Sequence, residues 1–178
     1  MLDRIMGVLR LDVNTYEEIE HDPNALTEAA IVVALVALFS GLGSAFGADN
    51  FIVGFLTTVL WAIIGWFIWA AVTYWVGTSL FEGQADLAEM LRVIGYAQAP
   101  GMLRVLTFIP CFGWIIGLIA WIWSLVTAFI AVRQGLDVDN TKALLTVLIG
   151  WFVVFLGSAI IGIFFGGVSL GLSALTGG

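Results

Sequence analysis

The chain has 178 residues, of which 61% are hydrophobic and 11% are charged, and its formal net charge at pH 7 is −7. A soluble globular domain is roughly half apolar and about a quarter charged, so this composition excludes an ordinary water-soluble fold and indicates an integral membrane protein. The single cysteine, Cys111, excludes an internal disulfide, and the single histidine, His21, excludes a zinc site built from cysteines and histidines.

Residues 1–22 are the longest hydrophilic stretch of the chain. Leu2, Ile5, Met6 and Leu9 recur at helical spacing, which predicts a short helix lying at the membrane surface. The stretch is acidic and lacks the basic start of a signal peptide, so we expect no cleavage.

Five long apolar segments follow, near residues 24–47, 51–78, 86–109, 112–132 and 142–165. Each reaches the ~20 residues that a helix needs to cross a bilayer, and each is too long and too continuously apolar for a strand of a membrane barrel. The sequence therefore predicts an all-α fold, a polytopic membrane bundle of five transmembrane helices.

Composition divides the chain into three parts. We expect a cytoplasmic amino-terminal segment over residues 1–22, a five-span membrane domain over 23–166, and a glycine-rich tail over 167–178. Pairs of glycines four residues apart, such as Gly113 and Gly117, favour close helix packing and self-association. The predicted location is the cell membrane, with several passes.

Basic residues predict the orientation, because the side of the membrane that is richer in Lys and Arg faces the cytoplasm. Only Arg104 lies toward the far side. The same division places twelve of the thirteen acids on the cytoplasmic side, with Asp49 as the exception. Such a face repels nucleic acid and attracts basic partners or cations. The basic residues assigned to the cytoplasmic side are Arg4, Arg10, Arg92, Arg133 and Lys142.

The third apolar segment, which contains MLRVIGYAQAPGMLRVLTFIP, keeps several polar residues. Glu89, Arg92 and Tyr96 are spaced by three and four and therefore share one helix face. Pro100 has no amide hydrogen and leaves the carbonyl of Tyr96 without its usual partner, so we expect a kink near residues 96–101. This stripe forms either a structural seam between helices or the lining of a small cavity.

Glu28 lies about one turn inside the first predicted membrane helix, and it is the acid that we expect to be partly buried. Two roles are open for it. It either pairs with Arg92 or Arg133, or carries a proton as carboxylates in transporters do.

Acids crowd the start of the same helix. Several carboxylates, with Glu18 among them, and the imidazole of His21 could together hold a divalent cation, since hard ions prefer oxygen ligands. The candidate cation-binding residues are Glu17, Glu20 and Asp22. The simpler interpretation is a solvated acidic rim that favours the positive end of the helix dipole, so no resident metal is expected.

Tryptophans form another group. Trp61, Trp66 and Trp69 lie well inside the second predicted helix, below the usual interfacial belt. They either wall an apolar pocket together with Trp121 and Trp123 or pack between helices.

Catalytic motifs are missing from the sequence. It contains no HExxH, no serine or cysteine with a partner base, and no glycine-rich phosphate loop. We therefore expect no enzymatic activity, no catalytic residues and no cofactor.

Several stretches resemble the Yip domain family of integral membrane proteins, in the expected order. MLRVIGYAQAP contains the GY-x-x-x-P signature, here Gly95, Tyr96 and Pro100. YEEIEHDPNALTEA resembles the acidic lead into the first span of prokaryotic members, and VGTSLFEGQADLAEMLRV resembles the loop before the signature. The resemblance implies a helical membrane bundle with a non-enzymatic role. Eukaryotic members bind prenylated Rab GTPases, but the chain lacks the DLYGP motif of their cytoplasmic arm and looks prokaryotic.

Two functions are consistent with these features. The first is a protein that organises membrane or partner proteins through its acidic cytoplasmic face, with Arg92, Tyr96 and Pro100 holding the bend. The alternative is a transporter or channel for a small cation or solute, with a path between the first and third helices lined by Glu28 and Glu89. The expected partners are the lipid bilayer, further copies of the chain and an unidentified protein at the cytoplasmic face.

Overall fold

The computed structural model describes residues 1–45, 50–109 and 111–176, and over these ranges the chain is helical without strands. The prediction of an all-α fold is confirmed. The described helices are α1 (Leu2–Leu9), α2 (Val13–His21), α3 (Ala25–Ala45), α4 (Phe51–Phe81), α5 (Leu87–Ala97), a 3₁₀ helix (Ala99–Phe108), α6 (Gly113–Gly135) and α7 (Asn140–Thr176).

Four of these helices, α3, α4, α6 and α7, are long and apolar enough to cross a membrane. The sequence predicted five. The difference lies in the third predicted helix, residues 86–109, which the structure divides into α5 of 11 residues and the 3₁₀ helix of 10 residues. Neither part alone reaches the ~20 residues of a membrane-crossing helix.

The divided segment runs beside α3 in the same direction. A Cβ added at Gly95 in α5 would lie 2.8 Å from the Cβ of Ala29. One added at Gly101 in the 3₁₀ helix would lie 2.8 Å from Val36, two turns further along α3. The segment therefore extends along α3 from its amino-terminal end.

The break falls at Gln98, two residues before Pro100. Pro100 occupies the first turn of the 3₁₀ helix, where its missing amide hydrogen leaves no bond unmade. The predicted kink is thus a change of helix type. A 3₁₀ helix rises ~2 Å per residue against ~1.5 Å in an α-helix, so this part of the segment is stretched.

Residues 1–22, which we call the amino-terminal arm, form two helices where the sequence predicted one. The chain turns at Leu11, which has a positive φ of 62°. Asp12 then caps α2 by accepting a hydrogen bond from the amide of Asn14. The apolar residues predicted to share one face of the first helix are not all buried, because Leu2 and Met6 are exposed. The buried side chains of the arm are Ile5, Val8, Tyr16, Ile19 and Glu20.

The core lies around α5. Every residue from Met90 to Ala97 is buried, between α2, α3, α4 and α6. The outer sides of the long helices are apolar and exposed, for example at Leu60 and Phe152, as expected of surfaces in lipid. The backbone of α7 is helical to Thr176, whereas the sequence predicted a tail from residue 167.

Candidate functional site

Glu28 joins the arm to the membrane helices. Its Oε2 accepts a short hydrogen bond from the hydroxyl of Tyr96, which is fully buried in α5. The same oxygen lies 3.2 Å from Nη1 of Arg4 and 3.4 Å from the amino group of Met1. One carboxylate in α3 therefore links α1 to α5.

Arg4 is the centre of this arrangement. Its Nη2 lies 2.8 Å from Glu18 and 2.7 Å from Asp22, in addition to the contact with Glu28. The Arg4 side chain is only 16% exposed. Its hydrogen bond to Glu18 raises the pKa of Arg4 above the ordinary value, and its hydrogen bond to Asp22 lowers the pKa of that acid. A single cation thus contacts three carboxylates, from α2, α3 and the turn between them, and offsets part of their charge.

Arg92 makes a second link between the arm and α5. Its Nη2 donates a short hydrogen bond to the backbone carbonyl of Glu20 at the end of α2, and lies 3.8 Å from Glu89. Glu89 in turn completes a capping box with Asp86, in which each side chain accepts from the other's backbone amide at 2.6 and 2.7 Å. Arg92 is therefore a buried cation that ties α2 to the start of α5.

The polar stripe is a seam between the arm and the bundle. Arg92 bonds the arm directly at Glu20, and Tyr96 reaches it through Glu28 of α3, which pairs with Arg4. The expected partners of Glu28 were wrong, because it pairs with Arg4, while Arg133 hydrogen-bonds Gln134 and Asn140.

The helix break is satisfied by a residue that the sequence did not single out. The hydroxyl of Thr127, fully buried in α6, donates to the carbonyl of Ala97 at 2.7 Å. The amide of Gln98 bonds back to the carbonyls of Gly95 and Tyr96. We expected a neighbouring helix to supply a donor for the carbonyl of Tyr96, which Pro100 leaves without its usual partner. The donor from α6, Thr127, bonds the carbonyl of Ala97 instead.

Replacing Thr127 by valine is expected to destabilise the protein by about 1–2 kcal/mol, because the buried carbonyl of Ala97 would lose its partner. Chemical unfolding in lipid nanodiscs, followed by tryptophan fluorescence, measures this change. Thr146→Val is the matched control. Thr146 is also fully buried, but its hydroxyl has no partner among the described residues, so the same substitution there should be neutral or stabilising. Equal losses in both variants would contradict the assigned role of Thr127.

A comparison with protein families places most of this arrangement, without Met1 and Arg4, in one domain. The family model of the Yip1 domain matches residues 6–174, which include most of the arm, the seam and the broken segment. The chain belongs to the Yip1 domain family. No curated protein and no solved structure matches the chain significantly. The match to the Yip1 domain model confirms the resemblance to the Yip domain family that the sequence showed.

Within this Yip1 domain, the predicted cation-binding group is assembled differently from the expectation. Ligand atoms of Glu17, Glu20 and His21 lie within 4.8 Å of one another, a grouping that a divalent cation could join. Asp22 is not part of it, because its carboxylate pairs with Arg4. His21 replaces it, with Nδ1 2.9 Å from the carbonyl of Glu17. The rim of α2 thus holds two carboxylates and an imidazole.

Glu20 is the unusual member of this group. It is only 3% exposed, and its Oε2 has no hydrogen-bond partner in the part of the chain that the structure describes. The pKa of Glu20 is raised to about 7, chiefly by burial and further by the carboxylates of Asp137, Glu17 and Glu89, against a smaller lowering by His21. The pKa of His21 is also raised, chiefly by its hydrogen bond to Glu17.

These shifts make the Yip1 domain less stable as the pH rises from 5 to 8. The folded state keeps a proton on Glu20 that the unfolded chain has lost above its ordinary pKa of 4.5, so stability falls through this window. His21 acts in the same direction. We expect a loss of roughly 2 kcal/mol between pH 5 and 8.

Unfolding measured across this range in the presence of EDTA tests the assignment. Glu20→Gln should flatten most of the dependence, whereas Glu82→Gln, a change at an exposed acid, should leave it intact. If the stability of Glu20→Gln still falls with rising pH as in the parent protein, the assignment of this pH dependence to Glu20 is wrong.

The predicted tryptophan pocket is present in the Yip1 domain. A cavity of about 560 Å³ is lined by Trp61, Trp66, Trp69 and Trp121. Trp151 of α7 lies beside it in place of Trp123, which faces elsewhere.

Proposed function

We propose that this Yip1 domain protein is a non-enzymatic membrane protein that organises partner proteins at one acidic, cytoplasmic face. One observation carries the proposal. The arm, the α4–α5 loop and the α6–α7 turn are hydrogen-bonded to one another, so their charges form one fixed surface instead of three separate segments.

The cross-links between these segments are specific. The backbone amide of Gln84 donates to the carbonyl of Leu136 at 2.9 Å, which joins the loop to the turn. The side chain of Gln134 donates a short hydrogen bond to Glu17, which joins the end of α6 to the arm. Lys142 reaches the carbonyl of Phe81 at 3.2 Å.

The joined surface is strongly acidic. Among the described residues, the exposed base on it is Arg10, since Arg133 and Lys142 are half-buried, Arg92 is buried and Arg4 is enclosed by carboxylates. Charge complementarity therefore favours a partner that presents a Lys- and Arg-rich segment close to the membrane. The exposed acids are Asp3, Asp12, Glu18, Glu82, Asp86, Asp137 and Asp139.

The proposal includes the orientation of the protein in the membrane and the number of times that the chain crosses it. The bias of Lys and Arg supports a cytoplasmic position for this face and a multi-pass protein of the cell membrane. The path of α5 and the 3₁₀ helix beside α3 supports a fifth crossing, half α-helical and half 3₁₀.

A photo-crosslinking residue at Gln84, an exposed position at the centre of the surface, tests the proposal in cell membranes. We expect adducts with a discrete protein, and few adducts from the same probe at lipid-facing Phe152. The adducts should weaken at high salt. Their absence, or equal adducts from Phe152, would contradict the proposal.

Neutral variants refine this test. Glu82 caps the end of α4 through its backbone amide, which any residue supplies, and the side chains of Asp3, Glu82 and Asp137 make no hydrogen bond within the described residues. Asparagine tolerates the positive φ of 58° at Glu82 and 52° at Asp137. The triple change to asparagine should reduce the adducts. Arg10→Gln on the same surface should preserve or increase them, because it removes an exposed base.

The transport alternative has less support. Glu28 and Glu89 already face cations, Arg4 and Arg92. A polar cavity of about 500 Å³ between the arm and α3 contains Glu28, but neither Glu89 nor Arg92 lines it. Absence of ion flux in vesicles, in both the parent protein and Glu28→Gln, is therefore expected.

A further inference from the structure

The tryptophan-lined cavity lies apart from the seam and from the acidic face. It is lined by α3, α4, α6, α7 and the segment around the helix break and is open on one side, and its volume of about 560 Å³ falls within the range of small-molecule sites, ~300–1,000 Å³. An inference about this cavity does not depend on the proposed function.

The walls of the cavity are flat and apolar. Trp61 and Trp69 lie on α4, and Trp121 and Trp151 face each other from α6 and α7 with ring centroids 6.2 Å apart and a tilt of 54°. Trp66 is held in place because its Nε1 donates to the carbonyl of Leu91 at 3.2 Å. Such walls suit a hydrocarbon chain.

One side of the cavity is polar. Gln98 and Arg104 reach it from the broken segment, and Ser40 and Ser124 reach it from α3 and α6. The hydroxyl oxygen of Ser40 is buried and has no hydrogen-bond partner in residues 1–45, 50–109 and 111–176. These groups are placed to hold the polar part of an amphiphile.

Arg104 supplies the charge. Its side chain is exposed and forms no ion pair with any residue in the described ranges. It lies three residues before Thr107, whose carbonyl packs against Gly113, the first residue of α6. At the rise of a 3₁₀ helix this is ~6 Å from the start of α6, and we expect lipid phosphates near the ends of a membrane-crossing helix.

We propose that the cavity binds one anionic phospholipid from the leaflet on the Arg104 side, with its phosphate at Arg104 and an acyl chain against the tryptophans. Arginine is suited to phosphate because its planar fork donates two parallel hydrogen bonds. A lipid fits better than a soluble phosphate, since most of the lining residues are apolar and the cavity opens beside lipid-facing helices.

Native mass spectrometry of the detergent-solubilised protein, titrated with phosphatidylglycerol or phosphatidylcholine, tests this site. We expect one tightly bound phosphatidylglycerol and a preference over phosphatidylcholine. Arg104→Gln should weaken phosphatidylglycerol binding by about tenfold and abolish the preference, which corresponds to one charge-assisted contact. Arg104→Lys should keep part of the preference. A preference unchanged in Arg104→Gln would overturn the proposal.

Two glycines offer a matched test of the apolar part. A Cβ added at Gly65, which lines the cavity, or at Gly157 in α7, which does not, meets no atom within 4 Å. Gly65→Phe should fill the cavity and reduce lipid binding, whereas Gly157→Phe should not. Equal binding by both variants would overturn the proposal. Displacement of the lipid by millimolar inorganic phosphate would also overturn it, by showing that a soluble anion is recognised.

Discussion

Replacing Arg4 by methionine is expected to lower the free energy of unfolding by about 2–3 kcal/mol and to detach the arm from the bundle. The substitution keeps the apolar stem of the side chain but removes the charge shared by Glu18, Asp22 and Glu28. Three carboxylates would then face one another with only the amino group of Met1 nearby. Hydrogen exchange of the α1 and α2 amides, measured together with unfolding in nanodiscs, separates detachment of the arm from global loss of structure.

Arg10→Met is the control for this experiment. Arg10 lies on the same arm and is exposed, so its replacement should change stability by less than ~0.5 kcal/mol and leave hydrogen exchange unchanged. If Arg4→Met leaves the α1 and α2 amides as protected as in the parent protein, then the seam does not hold the arm.

Replacing Gly95 by alanine is expected to cost about 1–3 kcal/mol. The new Cβ would lie 2.8 Å from the Cβ of Ala29 and 3.2 Å from Nε1 of Trp66. The first of these atoms is fixed to the backbone of α3 and cannot rotate away. The change therefore pushes α5 from α3 and strains the hydrogen bond of Trp66, and the midpoint of chemical unfolding reports it.

Gly65→Ala gives the opposite expectation. This glycine lies in α4, and an added Cβ there meets no atom within 4 Å. Alanine should therefore stabilise the helix by about 0.5–1 kcal/mol through its better helical propensity. A loss of stability at both glycines would indicate a general intolerance of these helices to alanine, and the close approach at Gly95 would then not explain its effect.

Sequence reasoning predicted the features that depend on neighbours along the chain. The long apolar segments identified α3, α4, α6 and α7, because hydrocarbon burial is a property of about twenty consecutive residues. The spacing of Arg92 and Tyr96 placed them on one face, and Pro100 marked the break. The division of the chain into charged segments, assigned to one side of the membrane, and apolar segments is likewise visible in the local sequence.

The features that were missed depend on distant contacts. Arg4 and Glu28 are 24 residues apart and meet only because the arm folds back at Leu11. Thr127 is one of several threonines in apolar helices, and nothing in its local sequence shows that a broken helix lies opposite. The length of the 3₁₀ helix was also hidden, since its residues are equally compatible with an α-helix until the packing of α3 and α6 is known.

The 3₁₀ helix also determines which side chains stand above one another. With three residues per turn, positions three apart are eclipsed, so Gln98, Gly101, Arg104 and Thr107 form a single straight column. An α-helix of the same sequence would rotate Arg104 by about 120° away from Gln98, because six steps of ~100° do not complete whole turns. Gly101, between the two polar residues, carries no side chain and lets Val36 of α3 approach closely. The threefold screw of this short segment therefore aligns an amide and a guanidinium along one edge.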